Sequence, residues 1–242
     1  MSVALVTGAS RGIGRAIALR LGEQGHDVAV GYTRSQEQAQ QLVDEIAALG
    51  RRAISVGGDL ADTGTPARVI DEVEQRLGGV EILIANAGIG SAPTGILEVS
   101  LSDWEHTLAV NLTAPFLLAQ RALPGMLERG FGRIVFLSSV AAFTGGLIGA
   151  HYASSKAGLH GLAHSLARQG APHGVTVNVI APGLIDTDMM PADQGVREQL
   201  AASRAVGRLG SAEEVADLVA AVVANAYLSN QSIVIDGGTL PT

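Results

Sequence analysis

Three side chains in the second half of the chain could together carry out acid–base chemistry on a carbonyl group. Tyr152 and Lys156 stand four residues apart, and Ser139 precedes Tyr152 by thirteen residues. On a helix, side chains four residues apart are neighbours, and a cation beside a phenol lowers the pKa of that phenol. Such a tyrosine could donate a proton to a carbonyl oxygen near neutral pH while the serine hydroxyl holds that oxygen. The Tyr-x-x-x-Lys pattern is weak alone, because most chance occurrences are ordinary surface helices.

A glycine-rich segment after the first apolar run predicts a phosphate-binding turn. Residues 3–7 have the pattern of a buried parallel strand, and Gly8, Gly12 and Gly14 follow it and open a helix rich in alanine and leucine. Backbone N–H groups in such a turn, together with the helix N-terminus, can receive a pyrophosphate. The spacing G-x-x-x-G-x-G is not the commoner G-x-G-x-x-G, but the strand–glycine–helix context favours a nucleotide over a simple turn.

The end of the second apolar run indicates which nicotinamide cofactor is used. An acidic residue there would bind a ribose 2′-hydroxyl, whereas basic residues accommodate a 2′-phosphate. The chain has Tyr32, Thr33 and Arg34 at this point, with no carboxylate, and Arg11 lies in the glycine turn. A guanidinium group suits phosphate, although both arginines could be solvated surface charges. The missing acid favours NADP(H).

Seven apolar runs alternate with helical segments and must position these residues. The runs cover residues 3–7, 27–33, 52–56, 80–85, 133–138, 175–181 and 232–236. The alternation predicts an α/β fold: a Rossmann-type doubly wound parallel sheet of about seven strands with helices on both faces. A single domain over residues 1–242 is expected, because no linker or repeat interrupts the pattern.

The helix boundaries are predicted from capping patterns and prolines. Ser-x-x-Gln or Ser-x-x-Glu patterns that begin at Ser35, Ser102 and Ser211 predict capping boxes at three helix starts. A long helix is expected over residues 103–129, and its two prolines, Pro115 and Pro124, are expected to bend or break it.

Composition excludes several classes of function. The chain has no cysteine, which removes disulfides, thiol catalysis and cysteine-ligated metals. The net charge is −7 without a basic block, which argues against nucleic acid as a partner. No apolar run approaches the roughly 20 residues of a membrane span, and the N-terminal residues do not resemble a signal peptide. A cytoplasmic protein without a membrane partner is expected.

Six motifs resemble those of the short-chain dehydrogenase/reductase family, in the same order and spacing and over nearly the whole chain. They are Thr7-Gly-Ala-Ser-Arg-Gly-Ile-Gly14, Asn86-Ala-Gly88, Asn111, Ser139, Tyr152-x-x-x-Lys156 and Pro182-Gly183. Two further segments resemble the 3-oxoacyl-[acyl-carrier-protein] reductase branch of that family, namely Leu184-Ile-Asp-Thr187-Asp-Met and Gly207-Arg-Leu-Gly210.

The resemblance implies a catalytic role for four residues. Tyr152 would be the general acid in reduction and the base in oxidation, and Ser139 would bind the substrate oxygen. Lys156 would lower the pKa of Tyr152 and hold the nicotinamide ribose, while Asn111 would anchor a water that joins Lys156 to solvent. No metal is implied.

The resemblance also implies which residues bind NADP(H). Asp59 and Leu60 would border the adenine, and Ile185 with Thr187 would cover the nicotinamide and phosphates. The full set is Gly8, Ser10, Arg11, Gly12, Ile13, Gly14, Thr33, Arg34, Asp59, Leu60, Asn86, Ala87, Gly88, Tyr152, Lys156, Pro182, Gly183, Ile185 and Thr187.

The implied reaction is the NADPH-dependent reduction of a 3-oxoacyl thioester to the 3-hydroxyacyl product. The alternatives are a reductase or dehydrogenase of a free ketone or secondary alcohol, and a nucleotide-binding regulator without turnover. Residues 184–208, with Met189, Met190 and Pro191, are expected to form a substrate lid, and methionines suit an adaptable apolar pocket.

The resemblance also concerns the partners of the chain. The resemblance implies a homotetramer, with acyl carrier protein as a conceivable partner, yet residues 128–130 and 171–173, where that branch docks it, carry few basic groups. His160 and His164 share a helical face, and a surface or interface role is favoured over a metal pair, because no third ligand is evident.

Overall fold

The computed structural model describes residues 2–90, 95–188 and 190–240. Within these ranges seven parallel strands form one sheet in the order β3-β2-β1-β4-β5-β6-β7. The strands are β1 (Val3–Val6), β2 (Asp27–Tyr32), β3 (Ala53–Gly57), β4 (Val80–Ala85), β5 (Gly132–Leu137), β6 (Val175–Pro182) and β7 (Ser232–Ile235). Every predicted strand is present, and its ends differ from the prediction by at most one residue.

Two apolar layers cover the sheet, one on each face. The strands consist mostly of aliphatic residues buried on both sides, as in β1 and β6, because helices pack against both faces of a parallel sheet. One core cluster joins strand residues such as Leu5 and Phe136 to Val69, Leu118 and Leu159. The other cluster lies on the opposite face and includes Ile17, Leu42 and Val219. The predicted doubly wound architecture is therefore confirmed.

The helices connect successive strands. They are α1 (Gly12–Glu23), α2 (Gln36–Ala48), α3 (Thr65–Arg76), α4 (Leu101–Leu108), α5 (Ala114–Arg129), α6 (Ala141–Thr144), α7 (Ala150–Gly170), α8 (Gln194–Ala202) and α9 (Ala212–Ala224). Among the described helices none is long and apolar enough to cross a membrane.

Only one of the three predicted capping boxes is present. Ser211 and Glu214 form the expected reciprocal pair at the start of α9. The prediction for Ser35 was wrong, because its side chain makes no capping hydrogen bond. The prediction for Ser102 was also wrong: Ser100 caps α4 instead, and its hydroxyl accepts from the Asp103 N–H at 3.1 Å.

The predicted helix over residues 103–129 is divided by a wider, π-helical turn. This turn spans Ala109–Thr113 and joins α4 to α5. Pro115 has no N–H to give the carbonyl of Asn111 one turn earlier, which disfavours regular α-helix at this point. Pro124, in contrast, lies within α5 without ending it. The turn holds Asn111 completely buried beside α7.

Candidate active site

The sequence-predicted residues meet at one edge of the sheet. Strands β2 and β3 extend from one side of β1, and β5 to β7 extend from the far side of β4, so the winding reverses between β1 and β4. Ligands of open parallel sheets bind at such a point, outside the carboxyl ends of the strands. The glycine turn follows β1, Asn86 and Gly88 follow β4, Ser139 follows β5, and Gly183 follows β6.

The glycine turn has the geometry of a phosphate cradle. Gly8 and Gly12 have φ values of +62° and +54°, a region that side chains disfavour. A Cβ on Gly14 would overlap the Gly8 carbonyl oxygen and Asn86 Nδ2, while Asn86 Nδ2 donates to the carbonyls of Thr7 at 2.9 Å and Gly8 at 3.1 Å. The turn, which includes Ser10, Arg11 and Ile13, therefore leaves backbone exposed at the N-terminus of α1, as a bound pyrophosphate requires.

Thr7 fixes this turn against the end of β4, a role that the sequence analysis missed. Its hydroxyl accepts from the N–H groups of Asn86 at 3.1 Å and Ala87 at 3.0 Å. The same hydroxyl donates to the Ile84 carbonyl at 3.4 Å. A threonine that ends a buried strand just before the first glycine is the signal that could have indicated this role.

A cavity extends from the glycine turn to the end of β2, where the adenosine half of a dinucleotide was expected. It is lined by Thr7, Gly8, Gly31, Tyr32, Thr33, Val56, Gly58, Leu60 and Val69. Thr33 closes one side through a hydrogen bond from its hydroxyl to the Gly58 carbonyl at 3.1 Å. Asp59 accepts from the Ala61 N–H at 3.0 Å, which orders the turn in which Leu60 is buried. These residues fit an adenosine group.

The two arginines predicted to accept a 2′-phosphate lie on the surface near this cavity. Arg34 is exposed, and no carboxylate among the described residues forms an ion pair with it. Arg11 lies 3.8 Å from Asp188, with both side chains more than 70% exposed, so solvent screens this pair and it contributes little. Both guanidinium groups can therefore reorient toward a phosphate at small cost.

Tyr152, Ser139 and Lys156 come together at the carboxyl end of β5. The Tyr152 hydroxyl is hydrogen-bonded to the Ser139 side chain, and Lys156 Nζ lies 5.8 Å from the centre of the tyrosine ring. Lys156 Nζ donates to the Leu137 carbonyl at 2.7 Å. Tyr152 and Lys156 are both at least nine-tenths buried. The arrangement places a phenol, a hydroxyl and an amine at one buried point.

Burial raises the pKa of Tyr152 above its ordinary value, and the hydrogen bond to Ser139 opposes this effect. The sequence analysis predicted the opposite direction from the neighbouring ammonium, and that prediction was wrong. The reason is that exclusion of water disfavours the phenolate, and it does the same to the ammonium: burial lowers the pKa of Lys156 to about 8.

Asn111 connects the loop after β4 to the helix that carries Tyr152. Its side-chain amide donates to the Ile89 carbonyl at 2.9 Å and to Ser155 Oγ at 3.1 Å, and its oxygen accepts from the Ile89 N–H at 2.8 Å. Ser155 in turn donates to the Tyr152 carbonyl at 2.7 Å. The sequence analysis missed Ser155, although a small polar residue inside an otherwise apolar helix face could have drawn attention to it.

Gly88 leaves the room that Lys156 needs. A Cβ on Gly88 would lie 3.1 Å from Lys156 Nζ and 3.4 Å from Asn111 Oδ1. Since the first distance is tighter than ordinary packing allows, any larger residue would displace the amine. The Asn86-Ala-Gly88 motif therefore contacts the glycine turn at its first residue and the predicted catalytic residues at its last.

The segment after β6 crosses the front of the glycine turn. The Pro182 carbonyl accepts from the Val140 N–H at 3.0 Å, and a Cβ on Gly183 would lie 2.7 Å from Asp236 Cβ. Ile185 is buried, and a Cβ on Gly12 would meet the Thr187 methyl at 3.5 Å. These residues are placed to cover a ligand held by the turn.

The predicted lid is anchored at both ends and contains a helix. An isolated parallel bridge joins Ile185 to Gly210, and α8 lies between them. Met189, one of the methionines expected there, lies outside the described residues. That the segment moves as a lid stays a prediction.

The comparison with protein families gives one match over most of the chain. Residues 2–197 match the short chain dehydrogenase family. Among curated relatives, a 3-oxoacyl-[acyl-carrier-protein] reductase of Staphylococcus aureus is 38% identical over 238 residues, covering 97% of this chain and 96% of the relative. An L-rhamnose 1-dehydrogenase (NAD(P)(+)) of a Sphingomonas species is also 38% identical, covering 97% of this chain and 94% of the relative.

A solved structure shows the same architecture with a cofactor bound. It is a blue fluorescent protein from a metagenomic library in complex with NADPH, which is 39% identical. It superposes with a TM-score of 0.93, covering 99% of this chain and 98% of that chain.

Proposed function

The chain belongs to the short-chain dehydrogenase/reductase family, and we propose that it reduces a 3-oxoacyl thioester of the acyl-carrier-protein type to the 3-hydroxyacyl product, with NADPH as the reductant. The observation that carries this proposal is the buried contact of Tyr152 with Ser139 beside Lys156, at the same sheet edge as the glycine cradle. Bound NADPH supplies the hydride in such chemistry.

The cofactor site rests on the glycine turn and the cavity beside it. Gly8, Gly12 and Gly14 would receive the pyrophosphate on backbone N–H groups. Arg11 and Arg34 would take the 2′-phosphate, since the end of β2 offers no carboxylate to a free ribose hydroxyl. The NADPH complex of the similar solved structure supports this choice.

Tyr152 would act as the proton donor to the substrate oxygen. An acid must hold its proton until the reaction, and burial raises the pKa of Tyr152, which keeps the phenol protonated at neutral pH. Ser139, hydrogen-bonded to the same hydroxyl, would hold the carbonyl oxygen within reach of that proton. Excluding water from this point strengthens both interactions.

Lys156 would resupply the proton and hold the cofactor ribose. Its pKa of about 8 lies close to neutral pH, so the amine can both release and regain a proton there. The Asn111 amide is occupied by Ile89 and Ser155. A water between Lys156 and solvent would therefore bind the Asn111 main-chain carbonyl, which lacks a helical donor at Pro115.

Exposed apolar side chains in the segments between Ser139 and Tyr152 and after Gly88 support an acyl substrate. Phe143 and Leu147 lie between Ser139 and Tyr152 in the chain and are 52% and 66% exposed. Leu97, on the loop that follows Gly88, is 98% exposed. Surface of this kind offers contact to a flexible hydrocarbon chain, and the similarity to a 3-oxoacyl-[acyl-carrier-protein] reductase favours the same substrate.

A free small molecule is the second candidate substrate. The L-rhamnose dehydrogenase is as similar as the acyl reductase. In addition, Arg129 is the one basic residue near the end of α5, and it stands beside the acidic Glu128, which leaves little net positive charge there for an acidic carrier protein.

Steady-state NADPH oxidation with acetoacetyl thioesters, free ketones and sugars separates the candidates. The proposal predicts the highest kcat/KM with a thioester, and higher with the carrier-protein ester than with the coenzyme A ester. A free ketone or sugar as the best substrate would support the second candidate. Tight NADPH binding without turnover of any carbonyl would indicate a nucleotide-binding regulator and contradict the proposal.

A further inference from the structure

One face of α7 continues beyond the predicted catalytic pair with two histidines. Tyr152, Lys156, His160 and His164 follow one another at intervals of four residues. His160 is half-buried, and its ring touches three other elements: Ser138 after β5, Ser232 at the start of β7, and Phe143 in α6. The ring centres of His160 and Phe143 lie 5.0 Å apart at an edge-to-face angle of 77°.

The hydrogen bonds around Ser138 favour one tautomer of His160. Ser138 Oγ lies 2.9 Å from the Lys156 carbonyl and 2.9 Å from His160 Nε2. A carbonyl only accepts, so the single proton of the serine goes to Lys156, and the serine must accept from Nε2–H. His160 Nδ1 then carries no proton and accepts from Ser232 Oγ at 2.7 Å.

This chain of bonds ends on the residues that carry the proposed chemistry. Two hydrogen bonds join Lys156 to the end of β5: Ser138 Oγ donates to the Lys156 carbonyl, and Lys156 Nζ donates to the carbonyl of Leu137, the residue before Ser138. Ser139 follows directly along the chain. The Nε2–H group of His160 occupies the acceptor site of Ser138, so the serine proton stays directed at Lys156.

We propose that His160 is a positioning residue, whose Nε2–H bond to Ser138 holds Ser139 and Lys156 in register with Tyr152. The inference rests on the proposed use of these three residues in carbonyl reduction, but not on which carbonyl is reduced. Burial and the neighbouring His164 lower the pKa of His160, which agrees with a neutral ring at neutral pH.

His164 provides a matched control. It has the same side chain on the same helix face, and its Nδ1 lies 2.5 Å from Asn230 Oδ1, but no hydrogen bond among the described residues joins it to the end of β5. The two rings have separate partners, and among the described residues no group of three or more histidine and carboxylate side chains could hold a metal.

Three variants test the positioning role by steady-state kinetics on whichever carbonyl the enzyme turns over. His160→Leu should lower kcat about tenfold, the effect of one lost hydrogen bond that acts on the reacting geometry, while KM for NADPH stays within about twofold. His160→Gln should recover most of kcat, because its amide presents a donor and an acceptor, as the neutral ring does. His164→Leu should stay within about twofold of the wild type.

Retained kcat in His160→Leu, equal losses in both leucine variants, or no recovery with glutamine would overturn the proposal. Thermal unfolding of each variant separates misfolding from misplacement. If His160→Leu does not fold, Ser232→Ala replaces it, since that change removes only the proton donated to Nδ1 and should lower kcat in the same direction.

The tautomer can be tested without any substrate. Two-dimensional ¹⁵N–¹H spectra of the histidine rings in the wild-type protein should show His160 as the neutral Nε2–H form at pH 7.5. An Nδ1–H tautomer or an imidazolium ring would overturn the proposal even in an active enzyme. Failure to reduce any carbonyl would instead count against the proposed function and leave this result standing.

Discussion

Lys156 is the only lysine of the chain, so its ionisation can be measured without interference from other lysines. The ammonium is buried without a carboxylate partner among the described residues, and burial lowers its pKa from the ordinary 10.5 to about 8. Since one pKa unit corresponds to about 1.4 kcal/mol, holding this charge in the folded chain costs about 3 kcal/mol at neutral pH. The cost disappears when the amine is neutral.

The sign of the effect on stability follows from which state binds the proton more tightly. Between pH 8 and 10.5 the unfolded chain keeps the lysine proton while the folded chain releases it, so this group makes the free energy of unfolding rise with pH. Below pH 8 both states are protonated and the cost is fully present. Lys156→Met removes the charge and should remove this rise.

Two measurements test the pKa of Lys156. An NMR titration of protein labelled with [¹³Cε]lysine should give a single side-chain signal with an apparent pKa of about 8. Urea unfolding of the wild type and Lys156→Met at pH 7 and pH 10.5 should show that their difference shifts by about 3 kcal/mol in favour of the wild type at the higher pH. Lys156→Met lacks the hydrogen bond to the Leu137 carbonyl at both pH values, so the loss of that bond cancels in this comparison.

A lysine pKa near 10.5 would refute the reasoning, because it would mean that water or a counter-charge reaches the amine. A difference in stability that is the same at both pH values would refute it equally. Either result would also remove the basis for Lys156 as a group that exchanges protons near neutral pH.

Three further predictions concern the cofactor and the assembly. Gly14→Ala should weaken NADPH binding at least about hundredfold in a fluorescence titration, because its Cβ would overlap the glycine turn. Gly161→Ala, where a Cβ has no atom of the described residues within 4 Å, should bind NADPH normally, and equal affinities of the two variants would contradict the phosphate cradle. Arg34→Asp should lower the preference for NADPH over NADH in kcat/KM about tenfold or more, whereas Arg168→Asp should leave it unchanged; an unaltered ratio in Arg34→Asp would remove the phosphate assignment. Light scattering should give the mass of a homotetramer, and a monomer would contradict that expectation.

Features that depend on local pattern were predictable from the sequence. Continuous apolar runs located all seven strands, and their alternation with helices fixed the order of the layers. The glycines after β1 and the motifs after β4, β5 and β6 were placed correctly at one edge, because parallel strands bring their carboxyl ends together.

Features that depend on competition between neighbouring residues or on burial could not be predicted from the sequence. Ser100 and Ser102 are both good caps two residues apart, and only the structure shows that Ser100 bonds the Asp103 N–H. The π-helical turn around Asn111 depends on Pro115 and on packing against α7. The direction of the Tyr152 pKa depends on how much water reaches the phenol, which spacing along the chain does not reveal.

The hydrogen bonds that hold the site in place could not be predicted from the sequence either. The sequence analysis gave Ser138 no role, and it considered His160 only for a surface, interface or metal role. Their contact spans 22 residues along the chain and exists because the middle of α7 packs beside the end of β5. Ser155 joins α7 to Asn111 over a still longer separation.

The most direct test of the account compares wild-type protein with Tyr152→Phe in the reduction of an acetoacetyl thioester by NADPH. The account predicts that kcat falls about 10²–10⁴-fold, the contribution of a positioned proton donor, while the dissociation constant for NADPH stays within about twofold. Reduction by the phenylalanine variant at a rate close to that of the wild type would show that the acid is a different group and would contradict the central claim.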